Sequence, residues 1–229
     1  MNHSRVYFFL LLITWLVAGC NQTGDNSYFP LSDGLSWEYR IDFRIKEEPK
    51  TQKLIFSTRP PIDLDGQRYH SRVSLSGPRY FYQETDDGIV HVDPVSGDRS
   101  TVLAYPIKER QSWQKTSRIR ILEVSGAFTP TFKARIAQPI TMDYVIEATG
   151  ETVNVTAGEF ENCIRVHGKG RLFAGRTLQD YMGIDSIYIE QTEWYAPGTG
   201  LVKKVRTEYT EPNEFKNTYS RELLAFVRN

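Results

Sequence analysis

The segment from Leu35 to Phe43 alternates apolar and polar side chains at every position. The apolar set is Leu35, Trp37, Tyr39, Ile41 and Phe43, and the residues between them are Ser36, Glu38, Arg40 and Asp42. Successive side chains of a strand point to opposite faces, so this pattern predicts an antiparallel strand with one buried face. No long segment shows the 3.6-residue period of an amphipathic helix, and we therefore expect few or no helices.

Similar short segments follow along most of the chain, separated by turn-forming residues. The predicted strands are Gln52–Ser57, Gln67–Leu75, Pro78–Glu84, Ile89–Val92, Thr101–Tyr105, Arg118–Val124, Thr131–Ala137, Met142–Ala148, Thr152–Val155, Phe160–His167, Ile184–Tyr195 and Leu201–Thr210. Tyr219–Val227 fits a last strand, although Arg221–Phe226 would equally serve as a helix. About a dozen short strands predict an all-β domain, either an antiparallel barrel or half-barrel, with a sandwich as the second choice.

Three local patterns predict how these strands begin, end and connect. Arg59-Pro60-Pro61 is expected to end the second strand, because proline cannot donate a ladder hydrogen bond. Asp86-Asp87-Gly88 predicts a hairpin turn, because glycine supplies positive φ angles. Gly168-Lys169-Gly170-Arg171 lacks the phosphate-loop pattern and is predicted to be a turn.

The first twenty residues have the layout of a secretory signal. Arg5 precedes an apolar run from Val6 to Val17, which is too short to span a bilayer, and small residues lead into Cys20. Val17-Ala18-Gly19-Cys20 resembles the lipobox of bacterial lipoproteins. The resemblance implies that residues 1–19 are removed and that Cys20 carries acyl chains such as palmitate, which anchor the protein to a membrane. An ordinary secretory signal and an uncleaved anchor are the alternatives.

The lipobox reading also predicts a location and a domain organisation. Residues 20–27 would form a lipidated tether, followed by one β domain over residues 28–229. Asn21 follows the cysteine, and by analogy with the enterobacterial sorting rule this favours the periplasmic face of the outer membrane. With Cys20 acylated, Cys163 has no cysteine partner, and its place within a strand predicts a small buried side chain.

The sequence offers no signature of catalysis, metal binding or nucleic-acid binding. Lys+Arg and Asp+Glu both number 28, so no basic excess points to nucleic acid. His70, His91 and His167 lack metal-ligand spacing, and we predict no metal site and no cofactor. The acidic pairs Asp63 and Asp65, and Asp86 and Asp87, lie in turn-like stretches. We therefore predict that the protein is not an enzyme, with no catalytic residues.

Three tryptophans are the candidate ligand contacts. Trp37 and Trp113 each follow a proline by seven residues, at Pro30 and Pro106, and each follows a serine. This echo has two interpretations: a duplicated half with paired ligand contacts, or a recurrent device in which proline stiffens a loop and tryptophan anchors the core. We favour the second interpretation, and name Trp37, Trp113 and Trp194 as candidate ligand contacts.

Three stretches carry a resemblance to known proteins. They are Tyr28-Phe29-Pro30-Leu31 with Gly34 and Trp37-Glu38-Tyr39, then Ala157-Gly158-Glu159-Phe160 with Asn162-Cys163 and Val166, then Trp194-Tyr195-Ala196-Pro197-Gly198-Thr199-Gly200-Leu201-Val202-Lys203. The set resembles a group of bacterial secreted and lipid-anchored β proteins without assigned function. Their general look is similar to the curved-sheet half-barrels of the LolA and LolB lipoprotein carriers. This resemblance transfers no catalytic residue.

Together these observations predict a non-enzymatic envelope protein that binds an apolar ligand, such as lipid, in the hollow of a curved sheet. The alternative is a scaffold for an envelope complex, which would use an exposed aromatic patch or a sheet edge to contact its protein partner. A weaker alternative is a hydrolase of cell wall or glycan. An internal cavity would favour the first hypothesis, and a filled core with an exposed patch would favour the second.

Overall fold

The computed structural model describes residues 26–45, 48–64, 66–121, 139–173, 175–212 and 215–228. The chain in these ranges forms one antiparallel sheet of twelve strands, with a single short helix, α1 (Gly175–Met182), between the ninth and tenth strands. The strands are β1 (Leu35–Ile45), β2 (Glu48–Leu64), β3 (Gln67–Ser74), β4 (Arg79–Thr85), β5 (Gly88–Val92), β6 (Arg99–Ala104), β7 (Ser112–Arg118), β8 (Pro139–Val155), β9 (Gly158–Phe173), β10 (Ser186–Ala196), β11 (Gly200–Glu211) and β12 (Lys216–Arg228). The all-β prediction is confirmed, and the sheet is a nearly closed barrel.

The sheet consists of two six-stranded meanders joined by the first and last strands. Its order is β6-β5-β4-β3-β2-β1-β12-β11-β10-β9-β8-β7, so the pairing of β1 with β12 is the one that joins strands distant in sequence. The edge strands β6 and β7 approach each other without forming a hydrogen-bonded ladder. Trp37 and Trp113 lie near the starts of β1 and β7, the first strand of each meander.

The alternating segment forms β1, and its apolar residues face the barrel interior. Tyr39 is paired with Leu54 of β2 on one side and with Leu223 of β12 on the other. Leu35, Trp37, Tyr39 and Ile41 are all buried. Each fully buried side chain of this size stabilises the fold by about 1.5–3 kcal/mol, so the period-two pattern fixes which face of β1 points inwards.

The N-terminal segment packs into the interior at the end of the barrel where β1 begins. Phe29 and Leu31 are buried in the larger core cluster. Arg72 on β3 donates from Nη2 to the Pro30 carbonyl oxygen at 2.8 Å, and its guanidinium lies 3.8 Å from the centre of the Phe29 ring. A Cβ on Gly200, in the β10–β11 turn, would lie 3.2 Å from Pro30 Cδ. This part of the barrel is therefore filled.

The predicted strand Arg118–Val124 is confirmed at Arg118 alone among its described residues and is wrong over 119–121. The structure instead forms β7 over Ser112–Arg118, and residues 119–121 are not in a strand. The inward positions of β7 carry Trp113, Lys115 and Ser117, so an apolar alternation that would reveal the strand is missing. Ile119 and Ile121 are buried outside it. The predicted strand Thr131–Ala137, the signal segment and Cys20 lie outside the described residues.

Other segments extend further than the sequence predicts. β2 continues through Pro60 and Pro61, because a register shift between Arg59 and Ile62 accommodates the missing donors. Thr152–Val155 belongs to the same strand as Met142–Ala148, within the irregular β8. Tyr219–Val227 is part of strand β12 and not of a helix.

The predicted turn at residues 168–171 is also wrong, because these residues lie inside β9. Gly168 is paired with Tyr144, and Gly170 with Met142. A Cβ on Gly168 would lie 2.5 Å from a carbon of the Tyr144 ring. The glycines here make room for inward-facing side chains of β8, and they do not end the strand.

Candidate functional site

The barrel interior contains a hollow that side chains do not fill. One part measures about 520 Å³ and lies between β1–β4 and β11–β12. Two adjoining parts of about 590 and 630 Å³ extend towards β10 and across the gap between β6 and β7. These parts share lining residues, so their volumes do not add. Each falls within the size range of small-molecule sites.

One wall of the hollow is apolar and aromatic. It is formed by the inward-facing side chains of β1, β2 and β4, namely Ile41, Phe43, Leu54, Phe56 and Tyr80. The rings contact one another: the centre of Phe56 lies 6.3 Å from that of Tyr39 and 5.9 Å from that of Tyr80, both in edge-to-face arrangements. On β1 the change from filled core to hollow falls between Tyr39, which is buried in the core, and Ile41, which lines the space.

The facing wall is cationic. The basic residues that line the three parts are Arg99, Lys115, Arg118, Arg120, Lys204, Arg206 and Arg221. The carboxylates lining the same space, among the described residues, are Asp98 and Glu208. The cations come from β7 and the segment after it and from β11 and β12, with Arg99 on β6. Cations therefore outnumber carboxylates among the described residues that line the hollow.

Arg206 and Glu208 form a buried ion pair that fixes one side of the hollow. Arg206 donates from Nε to Glu208 Oε1 at 2.7 Å, and Glu208 Oε2 accepts from the backbone N–H groups of Arg120 and Ile121 at 2.7 and 2.6 Å. Arg206 also donates to the Arg118 carbonyl oxygen at 2.6 Å. The pair on β11 thereby holds the end of β7 and the segment that carries Arg118 and Arg120.

Lys204 and Glu193 form a second buried pair, on β11 and β10. Lys204 Nζ lies 3.0 Å from Glu193 Oε1, and the Tyr195 hydroxyl donates to Glu193 Oε2 at 2.8 Å. Burial lowers the pKa of Lys204 to about 8, although the charge of Glu193 opposes this shift. Burial alone would raise the pKa of Glu193, but the charges of Lys204 and Lys115 and the hydrogen bonds outweigh it and hold that pKa below its usual range.

Arg221 on β12 is held in place without a carboxylate partner among the described residues. Its Nη2 and Nε donate to the Tyr219 hydroxyl oxygen at 3.1 and 3.3 Å. Its guanidinium lies 5.4 Å from the centre of the Tyr39 ring and 5.9 Å from that of Phe56. The guanidinium of Arg120 lies 5.6 Å from the centre of the Tyr219 ring. Tyr219 therefore brings two guanidinium groups to the same part of the hollow.

The three predicted tryptophan contacts are dispersed. Trp37 is buried in the filled part of the barrel and donates from Nε1 to the Thr199 carbonyl oxygen at 2.7 Å. Trp113 stacks on Tyr144, which lines the hollow, with ring centres 5.7 Å apart. Trp194 is on the outer face of β10 and donates to Glu151 at 3.1 Å. None of the three lines the hollow directly, and their role as ligand contacts stays a prediction.

The histidines and the cysteine considered in the sequence analysis do not form a common site. His70 and His91 lie opposite Tyr82 on β3 and β5, one on each side of β4, and the His70 ring contacts the Leu31 carbonyl oxygen at 3.1 Å. Cys163 is buried, as its strand position predicts, and burial raises the pKa of its thiol to about 11. In the part of the chain that the structure describes, no three His, Cys, Asp or Glu side chains are grouped to hold a metal ion.

The cationic wall is the feature that the sequence analysis missed. Lys204, Arg206 and Glu208 occupy inward positions of β11, and their partners on β12 are Arg221, Tyr219 and Asn217. One feature of the sequence could have indicated this wall. β11 carries charged residues at both of its alternating sets of positions, so neither set has the apolar pattern of a buried strand face. Only the pairing of β11 with β12 shows that the charges face a shared interior.

Comparisons with known proteins show a weak similarity of fold. The sequence matches no protein-family model and no curated protein. Two crystal structures resemble it: a protein described as exported, with a YmcC-like fold, from Bacteroides fragilis, and a protein described as a lipoprotein from Parabacteroides distasonis. Each shows 13% sequence identity and a TM-score of 0.43, and the match covers 87% of this chain and 98% of the other. These values support no conclusion about function. The described residues include no helix long and apolar enough to cross a bilayer.

Proposed function

We propose that this protein is a lipid-anchored component of the bacterial cell envelope that binds an amphiphilic, lipid-like ligand inside its barrel. The observation that carries the ligand proposal is the hollow itself: the barrel interior is filled around Leu35 and Trp37 but unfilled between Phe43, Phe56 and the β11–β12 wall. A lipid segment placed on the aromatic side would remove apolar surface from water and gain binding free energy.

The anchor proposal is supported by the sequence of the N-terminus. Val17-Ala18-Gly19-Cys20 supplies the lipobox, and Asn21 favours the periplasmic face of the outer membrane. Metabolic labelling with palmitate, followed by separation of inner and outer membranes, tests both parts of this proposal. Label should depend on Cys20 and disappear in Cys20→Ala. Labelled protein in the inner-membrane fraction would overturn the outer-membrane assignment.

We propose a binding role and not a catalytic one. Two buried carboxylates beside the hollow, Glu193 and Glu208, are each engaged by a cation and by further hydrogen-bond donors. A carboxylate used in this way anchors neighbouring groups and is poorly placed to take a proton from a substrate. The described surface gives the scaffold alternative little support, because its large exposed apolar side chains, such as Leu75, Val95 and Phe173, lie on separate elements, apart from Ile62 and Leu64, which share β2.

Native mass spectrometry of the full chain carrying Cys20→Ser, purified from the periplasm, tests ligand binding. We expect co-purified lipid that is lost in Phe43→Ser, which removes a ring from the apolar wall. Phe173→Ser is the matched control, because Phe173 is 73% exposed on the outer part of β9. A mass without lipid, unchanged after incubation with envelope lipids, would overturn the proposed binding. Release of hydrolysed lipid would overturn the non-enzymatic role.

A further inference from the structure

We infer that the hollow recognises an anionic head group, of the phosphate or carboxylate class, on the amphiphile it binds. This inference rests on the proposed function and adds the chemistry of the ligand's polar end. The groups that would bind the anion are the side chains of Arg118, Arg120 and Arg221, with Lys115 beside them. The three arginines line both the part of the hollow that contains the apolar wall and one adjoining part, and Lys115 lines the adjoining part.

Two of the cations that line the hollow already have carboxylate partners. Arg206 is paired with Glu208, and Lys204 with Glu193, so these two cations are matched by carboxylates within 3.0 Å. Within the described ranges, no ion pair joins a carboxylate to any of the four cations named above. Asp98 is the further carboxylate that lines these parts among the described residues, so the hollow retains a net positive charge.

Of these four cations, the Arg221 side chain and the backbone at Arg120 are also held in position. The Arg221 guanidinium is fixed by the Tyr219 hydroxyl oxygen and lies against the rings of Tyr39 and Phe56. The backbone on which Arg120 stands is tied to the carboxylate of Glu208. A guanidinium held like that of Arg221 loses less conformational entropy when it binds a partner than a free surface arginine would lose.

Arginine chemistry narrows the ligand class. A guanidinium presents a planar fork of N–H donors that matches the oxygen atoms of phosphate and carboxylate groups. Three such groups line the same part of the hollow as Ile41, Phe43 and Leu54, and Arg221 lies directly beside Ile41 on the neighbouring strand. A molecule that satisfies both walls carries an anionic group at one end and hydrocarbon at the other.

The test is isothermal titration calorimetry of the full chain with Cys20→Ser, using three probes. They are dioctanoyl phosphatidylglycerol, dioctanoyl phosphatidylcholine with the same acyl chains, and glycerol phosphate without acyl chains. All are used below their micelle-forming concentrations. We expect the anionic lipid to bind at least about tenfold more tightly than the zwitterionic lipid, because both carry a phosphodiester but the arginines repel the choline cation of the zwitterionic lipid. Added salt should reduce the difference.

Substitution locates the anion site. Arg118→Gln combined with Arg120→Gln should remove most of the preference for the anionic lipid, and because both side chains are exposed to solvent the fold should persist. Arg59→Gln, an exposed arginine on the outer face of β2, is the control and should leave the preference intact. Arg120→Lys retains the charge and tests the guanidinium fork by itself. Thermal melting of each variant verifies folding.

The outcomes separate this inference from the proposed function. Equal binding of the two lipids, unaffected by the double substitution, would overturn the anionic preference and leave lipid binding in place. Binding of neither lipid would overturn the proposed function. Glycerol phosphate binding as tightly as the anionic lipid would support the anion site but overturn the amphiphile as its ligand.

Discussion

Replacing Glu208 by glutamine tests whether the buried pair with Arg206 holds the hollow together. Glu208 is 3% exposed. Arg206 Nε and Nη2 donate to its Oε1 at 2.7 and 2.6 Å, and the N–H groups of Arg120 and Ile121 donate to its Oε2 at 2.7 and 2.6 Å. Glutamine has the shape of glutamate but only one side-chain oxygen. Its amide nitrogen, which cannot accept a hydrogen bond, would therefore face either the Arg206 donors or the two backbone N–H groups.

The expected cost follows from these contacts. Each hydrogen bond to a charged group contributes about 1.5–3 kcal/mol, and leaving a buried charge unpaired costs about 3–5 kcal/mol. We therefore expect Glu208→Gln to lower the free energy of unfolding by about 3–5 kcal/mol. For a domain of this size that corresponds to a decrease in Tm of roughly 6–20 °C. The substitution should also weaken binding of an anionic lipid, because the Arg118–Ile121 segment loses its attachment.

Urea unfolding followed by tryptophan fluorescence measures the free energy directly. Glu190→Gln, at an exposed position of β10, is the matched control and should change stability by no more than about 0.5 kcal/mol. Combining Glu208→Gln with Arg206→Met removes the unpaired cation and should cost less than the sum of the two single changes. A loss below about 1 kcal/mol for Glu208→Gln would refute the reasoning.

Three further predictions concern the interior. Gly168→Ala should destabilise the barrel by about 1–3 kcal/mol in urea unfolding, because the new methyl group would lie 2.5 Å from the Tyr144 ring; an unchanged midpoint would show that the ring can move away. Binding of an anionic lipid should weaken several-fold between pH 7 and pH 9, because Lys204, with a pKa of about 8, loses its proton and the hollow loses a positive charge. Lys204→Arg should remove that pH dependence in calorimetry, and a step that persists would assign the titration to another group. Trp37→Phe should lower stability by about 1–3 kcal/mol with lipid binding retained, since Trp37 lies in the filled core and its Nε1 donates to a turn carbonyl; loss of binding in a folded variant would restore Trp37 as a ligand contact.

The features that can be predicted well from sequence are those that depend on a few neighbouring residues. The alternation from Leu35 to Phe43 gives β1 its inward face, and burial confirms it. Asp86-Asp87-Gly88 predicts a hairpin turn in which glycine supplies a positive φ, and Gly88 has a φ of 135°; the nearby Leu103 carbonyl oxygen also leaves no room for a side chain there. Both features depend on backbone geometry within a few residues, and such geometry is encoded locally.

The strands that sequence mispredicts are those whose inward residues are polar. Lys115 and Ser117 of β7 point towards the hollow, so the apolar alternation is absent from this strand. The sequence therefore predicts the strand further along the chain, where Ile119 and Ile121 supply apolar side chains. The glycines of β9 resemble a turn because their role, to make room for the Tyr144 and Met142 side chains of β8, involves a neighbouring strand. Prolines in β2 are tolerated because the ladder shifts register around them.

The all-β class, most of the strands and the candidate lipid attachment at Cys20 can therefore be predicted from the sequence. The pairing of β1 with β12, the filled interior around Trp37 and the shared position of Arg118, Arg120 and Arg221 along the hollow are seen only in the folded protein. The sequence can predict which face of a strand an arginine lies on, but it does not show which side chains of other strands surround that arginine. Distant strands must close the sheet before scattered charges become a site.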